Sequence, residues 1–507
     1  MPLANDNNTH GIVFPPTASG EPSTTATGKA IWSAALRAAN PAASEAITAE
    51  RKWRTNYPTH VRQLVETSVQ SSSAALAIAH AGLEELYAQF LFNQTPIRTA
   101  MATSGEVELH TAVVRGTAER QPHPLAIPYQ GERLQGERLL AQIGQWERTG
   151  IIEPTHATGL RSLHAHPEWL DLSDMTFVLL GAGAEMGPLL ALAEWGANII
   201  AVDLPRPAVW KRIVQAIEKS SGTLYAPVRQ PNLNLSADEL PAHAGADLLT
   251  ETPAIGRWLA SLPGPLVVGG YAYLDGQMHV RVALAMDAIM ESLLGARSDV
   301  SLAFLATPTD VFAIPAEAAE MAKTRFEQWG LAKLWQAPLR TLSGRRFFEP
   351  NVSEILTTAE GWRVGITDAL VLQQGPNYAL AKRLQQWRAI TARAQGVRVS
   401  ANVAPATTTQ SVIKNIALAA AYAGADHFGV EIFRPETSNA LMAALLIHDL
   451  RHPEAMANPA MPLPHPFALL MEGANHGGLW RVAFASRSVM EIAALLGWRA
   501  ARGRVSE

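Results

Sequence analysis

Tyr378 and Lys382 are a pair whose types and spacing could do chemistry. Four positions apart, they share one face of any helix that carries them. A phenol with its ordinary pKa near 10 is a poor proton donor or acceptor at neutral pH. A lysine cation one turn away stabilises the phenolate and brings the group towards a working range. By itself such a pair also fits a half-buried tyrosine beside a solvated lysine. The surrounding residues argue for more. A helix is expected from Asn377 to about Ala394, with Leu380, Leu384, Trp387 and Ile390 as its apolar stripe. Gly396-Val-Arg-Val then leads into Asn402-Val-Ala-Pro405-Ala-Thr407-Thr-Thr409.

A second group lies upstream. The apolar run Thr176–Leu180 enters Gly181-Ala-Gly183-Ala-Glu185-Met186-Gly187, and a helix is expected over Pro188–Trp195. Gly196 stops that helix, and Asn198–Val202 delivers Asp203. Glycines between a strand and a helix permit a tight turn, close approach of the backbone to a pyrophosphate, and close helix–strand packing. Free N–H groups at the helix start then face the phosphates. A carboxylate ending the next strand accepts hydrogen bonds from ribose hydroxyls and opposes a 2′-phosphate. The expectation is a dinucleotide site that selects NAD, with NADP left open because Arg206 lies close by. The competing reading, a glycine turn in some other βα unit, does not account for the terminal acid.

These residues must be positioned by a sheet. From Met175 onward, short apolar runs (Thr176–Leu180, Asn198–Val202, Leu224–Val228, Pro265–Val268, Val300–Leu305 and Val397–Val403) alternate with helical stretches. That alternation predicts an α/β fold, with a Rossmann-like, doubly wound parallel sheet covered on both faces, over residues 173–507. Residues 315–365 interrupt it as an insertion, and Phe467–Met471 and Ser486–Leu496 add a strand and a final helix. Residues 1–28 are polar and unpatterned, which predicts a mobile tail. Residues 29–172 read as mostly helical, with a strand candidate at Glu106–Val114 and an amphipathic helix over Gln130–Thr149.

The 507 residues, 48% of them hydrophobic, suffice for a large core. The absence of cysteine excludes disulfides, thiolate metal sites and cysteine nucleophiles. A net charge of −4 gives no reason to expect a nucleic-acid partner. The first residues lack a basic start and an apolar run, and no stretch is long enough to span a bilayer, so a cytoplasmic location is expected, with a homo-oligomer left open.

Taken together, Tyr378–Thr409 resembles the active-site helix and sixth strand of the short-chain dehydrogenase/reductase superfamily, where the strand reads Gly-Ile-Arg-Val-Asn-x-Val-x-Pro-Gly. Gly181–Asp203 is similar to that family's cofactor segment. Gly245-Ala-Asp247-Leu248 resembles the Asp-Val or Asp-Leu after the third strand that touches adenine, and Pro265-Leu-Val-Val-Gly269-Gly270 resembles the fourth strand. The resemblance covers roughly residues 175–310 and 370–480. It implies an NAD- or NADP-dependent oxidoreductase that moves a hydride between nicotinamide and a small carbonyl or alcohol substrate. Tyr378 would exchange the proton, while Lys382 would lower its pKa and bind ribose. Thr307 or Thr309 would hold the substrate oxygen, with Thr367 as rival. The cofactor would be lined by Gly181, Gly183, Glu185, Met186, Gly187, Asp203, Asp247, Leu248, Gly269, Gly270, Pro405 and Thr407, besides Tyr378 and Lys382.

The chain departs from the pattern in places. Glu185 stands where the family has glycine, Gly269-Gly270-Tyr271-Ala272 replaces Asn-Asn-Ala-Gly, and Gly365 occupies the usual serine position. The helix asparagine of the family is not evident among Met278–Leu294. These departures motivate an alternative, a catalytically silent NAD-binding sensor or scaffold of the same fold. An enoyl reductase or a polyketide-type ketoreductase is a further one, although the Tyr–Lys spacing favours carbonyl chemistry. His164 and His166 are read as surface residues and no metal is expected. His476 and Trp480 are read as a core turn rather than as substrate contacts.

Overall fold

Runs with no polar alternation become strands that are covered on both faces, and six of them build the centre of one sheet. In the computed structural model, residues 10–17, 20–103, 105, 107–121, 123–231, 235–328, 330 and 333–504 are described. The sheet strands are β1 (His110–Arg115), β2 (Thr176–Leu180), β3 (Asn198–Val202), β4 (Thr223–Val228), β5 (Leu266–Gly270), β6 (Val300–Ala306) and β7 (Val399–Val403). Their order is β7-β6-β5-β2-β3-β4-β1. All neighbours pair in parallel except β1, which lies antiparallel along β4. The chain therefore is an α/β protein with a seven-stranded, mostly parallel sheet. Successive residues of β2 serve opposite cores: Phe177 and Leu179 face one, Val178 and Leu180 the other.

The helices used below are α1 (Thr24–Leu36), α2 (Ser72–Gln89), α3 (Gly136–Thr149), α4 (Gln277–Ala296), α5 (Gly375–Ala394) and α6 (Pro435–Arg451). Helices α4 and α5 pack side by side, and α1 and α2 lie against α5. Trp387 on α5 is the joint. Its ring meets Trp32 edge-on at 5.9 Å, and a Cβ on Gly82 of α2 would come within 2.3 Å of it. The N-terminal helices thus spend their apolar faces on the helix that carries Tyr378. On the other face, α3 and α6 share a second core through Ile143, Trp146, Leu441 and Leu445.

Several expectations are corrected. Of the segment expected to be a mobile tail, residues 1–9 and 18–19 lie outside the described residues, but the rest is built into the fold. Ile12–Val13 pairs with Leu91–Phe92, Ile12 and Phe14 are buried, and Arg281 donates to the carbonyls of Ile12 and His10. Helix α1 already begins at Thr24, capped by the Ser23 hydroxyl. A two-residue strand has no period to read, which is why the sequence looked unpatterned. Phe467–Met471 is not a strand. Pro466 and the His465 ring, which accepts from the Phe467 N–H, start a 3-10 helix over Pro466–Leu470. The helix after the glycine turn is shorter than expected, Leu189–Glu194. The interruption before α5 is a small antiparallel sheet, Val311–Pro315, Ile355–Thr357 and Arg363–Asp368, with two helices.

Candidate active site

The carboxyl end of β6 and the first turns of α5 meet at one cluster. Thr307 directly follows β6, and its hydroxyl lies 2.9 Å from that of Thr309, which donates to Gln374 at 3.0 Å. Tyr378 and Lys382 are half-buried beside them. Burial pushes the Tyr378 phenol up from its ordinary value, and the Thr307 hydroxyl opposes this only in part. Burial pulls Lys382 down to about 8, against the attraction of Asp310. Its Nζ sits 5.9 Å over the Tyr378 ring and donates to Gln385 and to the carbonyl of Leu305. Thr367, the rival threonine, is fully buried and donates to Asn351 inside the small sheet. Thr307 is therefore the hydroxyl beside Tyr378, and Thr309 is bonded behind it.

His279 completes the cluster and was not foreseen. Its ring stacks on Tyr378 at 5.3 Å and tilts against Tyr273 at 4.8 Å. It is 1% exposed, and among the described residues neither ring nitrogen has a hydrogen-bond partner. Burial, then the Lys382 charge, hold it well below its ordinary pKa, so it is a neutral imidazole. The signal that could have found it is its helix. From Val280 to Met290, α4 is buried on every side, so a histidine in its first turn faces protein or ligand rather than bulk water.

At the glycine turn, the N–H groups of Gly181 and Ala182 donate to the Val202 carbonyl, which joins the turn to the end of β3. Gly181 has φ +91, and a Cβ there would meet the Ala272 backbone at 2.5 Å. The Asp203 carboxylate accepts from the N–H of Gly183 at 2.7 Å and of Leu204 at 2.8 Å. Burial pushes it up, while these amides and then Arg212 and Arg206 pull it down. Arg212, missed from the sequence, is thus a second cation beside this acid. The N–H groups of Glu185 and Met186 find no acceptor among the described residues.

The other expected cofactor residues are distributed as follows. Asp247 accepts from the Leu249 N–H, while Leu248 is buried and its carbonyl is bonded by Thr252. The Tyr271 ring packs on Gly269, and the Tyr271 and Ala272 N–H groups bond the Leu180 carbonyl, so β5 runs straight into the glycine turn at Gly270. Thr407 donates to the Pro405 carbonyl and pairs with Ser438. Glu185 reaches across: its carboxylate accepts from the Gln410 N–H at 2.9 Å and its carbonyl from Asn439. This ties the 405–410 loop over the turn. The space left between Met186, Tyr271, Asn402 and Asn439 is about 10 Å3, room for a single water. His476 and Trp480 stay out of this edge. His476 donates to Glu153, which Arg481 also grips, in a buried tie between the N-terminal and C-terminal parts.

Asp203 keeps lone pairs that could accept from the hydroxyls of an adenosine ribose, and the unspent N–H groups of Glu185 and Met186 in the same turn could donate to a phosphate. No protein-family model matches the chain, and no curated protein matches it. Among the described residues no helix is long and apolar enough to cross a membrane.

Proposed function

We propose that the protein is an NAD-dependent oxidoreductase acting on a carbonyl or hydroxyl carbon, built on a Rossmann-like sheet. The observation that carries this reading is the meeting of Thr307, Tyr378 and Lys382 at the end of β6, two strands along the sheet from the glycine turn. Two strand spacings amount to about 10 Å. The order β4-β3-β2-β5-β6-β7 is that of dinucleotide-binding sheets, whose ligands lie at the switch point, here between β2 and β5. When bound, the nicotinamide supplies or takes the hydride. Thr307 orients the substrate oxygen, and Tyr378 holds the proton at that oxygen. Lys382, pulled to about 8, carries the positive charge that makes the phenolate less costly. Asp203 bonds the ribose and favours NAD over NADP, with Arg206 and Arg212 softening the preference. Calorimetric titration with NAD(H) and NADP(H), followed by a hydride-transfer screen over carbonyls and alcohols, tests the reading. Absence of binding by either cofactor overturns it.

A second reading is a silent NAD-binding module. It is favoured by the Glu185–Gln410 tie and by a Tyr378 phenol pushed up rather than down. Cofactor binding without transfer to any member of the panel supports it, and transfer to one member eliminates it.

A further inference from the structure

A cavity of about 810 Å3 shares no lining residue with the Tyr378 cluster. It lies between the Ala126–Tyr129 strand, α3, the loop over 426–434 and the segment 482–484. Its size is that of a small-molecule site. On its wall is Glu431. Tyr129 donates to Oε1 at 2.8 Å and the Trp146 indole N–H points to the same oxygen at 3.4 Å. The second oxygen, Oε2, has no partner among the described residues and is not sealed from the cavity. Burial pushes this carboxyl up despite its two donors. Tyr129 meets Trp146 edge-on at 5.0 Å and Trp146 tilts against Phe433 at 5.6 Å, so the acid is set in a rigid aromatic wall.

We propose that this cavity binds a neutral polyhydroxylated ligand, a sugar or polyol, with Glu431 Oε2 accepting one of its hydroxyls. The lining chemistry selects the class. Formal charges cancel, with Glu431 and Asp426 against Arg325 and Arg434. Asp426 bonds His427 through Oδ1 at 2.8 Å and is otherwise exposed to water, and the Arg325 guanidinium is fixed by the carbonyls of Arg481 and Thr149. A ligand with net charge would lose its hydration without finding a net counter-charge. The remaining polar groups include the side-chain amides of Gln130, Gln145 and Gln336, each able to donate and accept, as a hydroxyl does. The aromatic rings offer apolar faces to the ligand's C–H groups. The site draws on four separate stretches of the chain and does not depend on the dinucleotide reading.

Saturation-transfer NMR on the full-length protein tests this, with glucose, maltose and inositol as probes and with butylamine and inorganic phosphate as controls. The expected result is transfer to at least one polyol and to neither control. Glu431→Gln keeps the shape but turns an acceptor into a donor, and should weaken that binding at least tenfold without lowering the unfolding midpoint. Gln130→Ala, at an exposed position, should weaken it several-fold and covers the case in which Glu431→Gln disturbs the aromatic wall. No transfer to any polyol, or transfer unchanged in both variants, overturns the proposal. Binding of the amine or phosphate alone overturns the ligand class.

Discussion

Replacing His279 by phenylalanine should make the protein more stable. The imidazole is 1% exposed and neutral, with one donor and one acceptor, and both nitrogens are unmet among the described residues. A buried polar group left without a partner costs about 1–3 kcal/mol. Phenylalanine removes both groups and keeps the ring against Tyr378 and Tyr273, an aromatic contact of about 0.5–1.5 kcal/mol. Its slightly larger ring carries an overpacking cost of about 1 kcal/mol, the low end of the usual range. With two unmet groups removed, the balance is a gain of about 1–5 kcal/mol. Equilibrium urea denaturation at neutral pH measures it as a rise in midpoint at unchanged m-value. The same variant should bind NAD(H) normally yet transfer hydride more slowly, because the imidazole lies against Tyr378. Stability gained where function is lost marks a residue kept for its ligand. A loss of stability beyond about 1 kcal/mol would refute the reasoning, since the nitrogens would then be bonded in the folded protein.

Other perturbations follow from the same structure. His156 is fully buried, donates from Nδ1 to the Gly473 carbonyl, and is held at about 4 by burial. Its folded pKa is depressed, so the unfolded chain takes the proton first and stability falls as pH drops from 6.5 to about 4, by on the order of 3 kcal/mol. His156→Asn, which keeps a donor and does not titrate, should flatten that window in pH-dependent denaturation. Asp203→Ala should narrow the calorimetric preference for NAD over NADP; equal affinities in the parent protein would mean that Arg206 and Arg212 govern this position. Glu185→Ala should release the 405–410 loop and tighten cofactor binding several-fold; weaker binding would show that the tie helps form the site. Deleting residues 1–28 removes Ile12, Phe14 and the first turn of α1, and should lower stability by several kcal/mol, at about 1.5–3 kcal/mol per buried large side chain.

What could be read from the sequence was what local pattern dictates. The six parallel strands bury most of their residues on both faces, so each appears as a largely apolar run bounded by turns, and Asp203 directly follows one. Thr307 and Thr309 could be read because they directly follow β6. The edge strand β1 was only half visible, because its alternation is weak and its partner β4 lies far along the chain. Ile12 and Phe14 gave no signal, because their burial depends on Arg281 and on Leu91–Phe92. Glu431 and Tyr129 escaped notice for a related reason. An isolated acid and an isolated tyrosine carry no spacing rule, and only the folded chain brings them to 2.8 Å.

The central claim is that Tyr378 handles the proton of a nicotinamide-linked reaction. Its most direct test is single-turnover hydride transfer by the parent protein and Tyr378→Phe, with a substrate taken from the carbonyl and alcohol screen and the cofactor saturating. The variant lacks only a hydroxyl, so cofactor affinity should stay within about twofold, while general acid–base catalysis worth about 10²–10⁴ in rate is lost. Transfer at the parent rate by Tyr378→Phe would contradict the account.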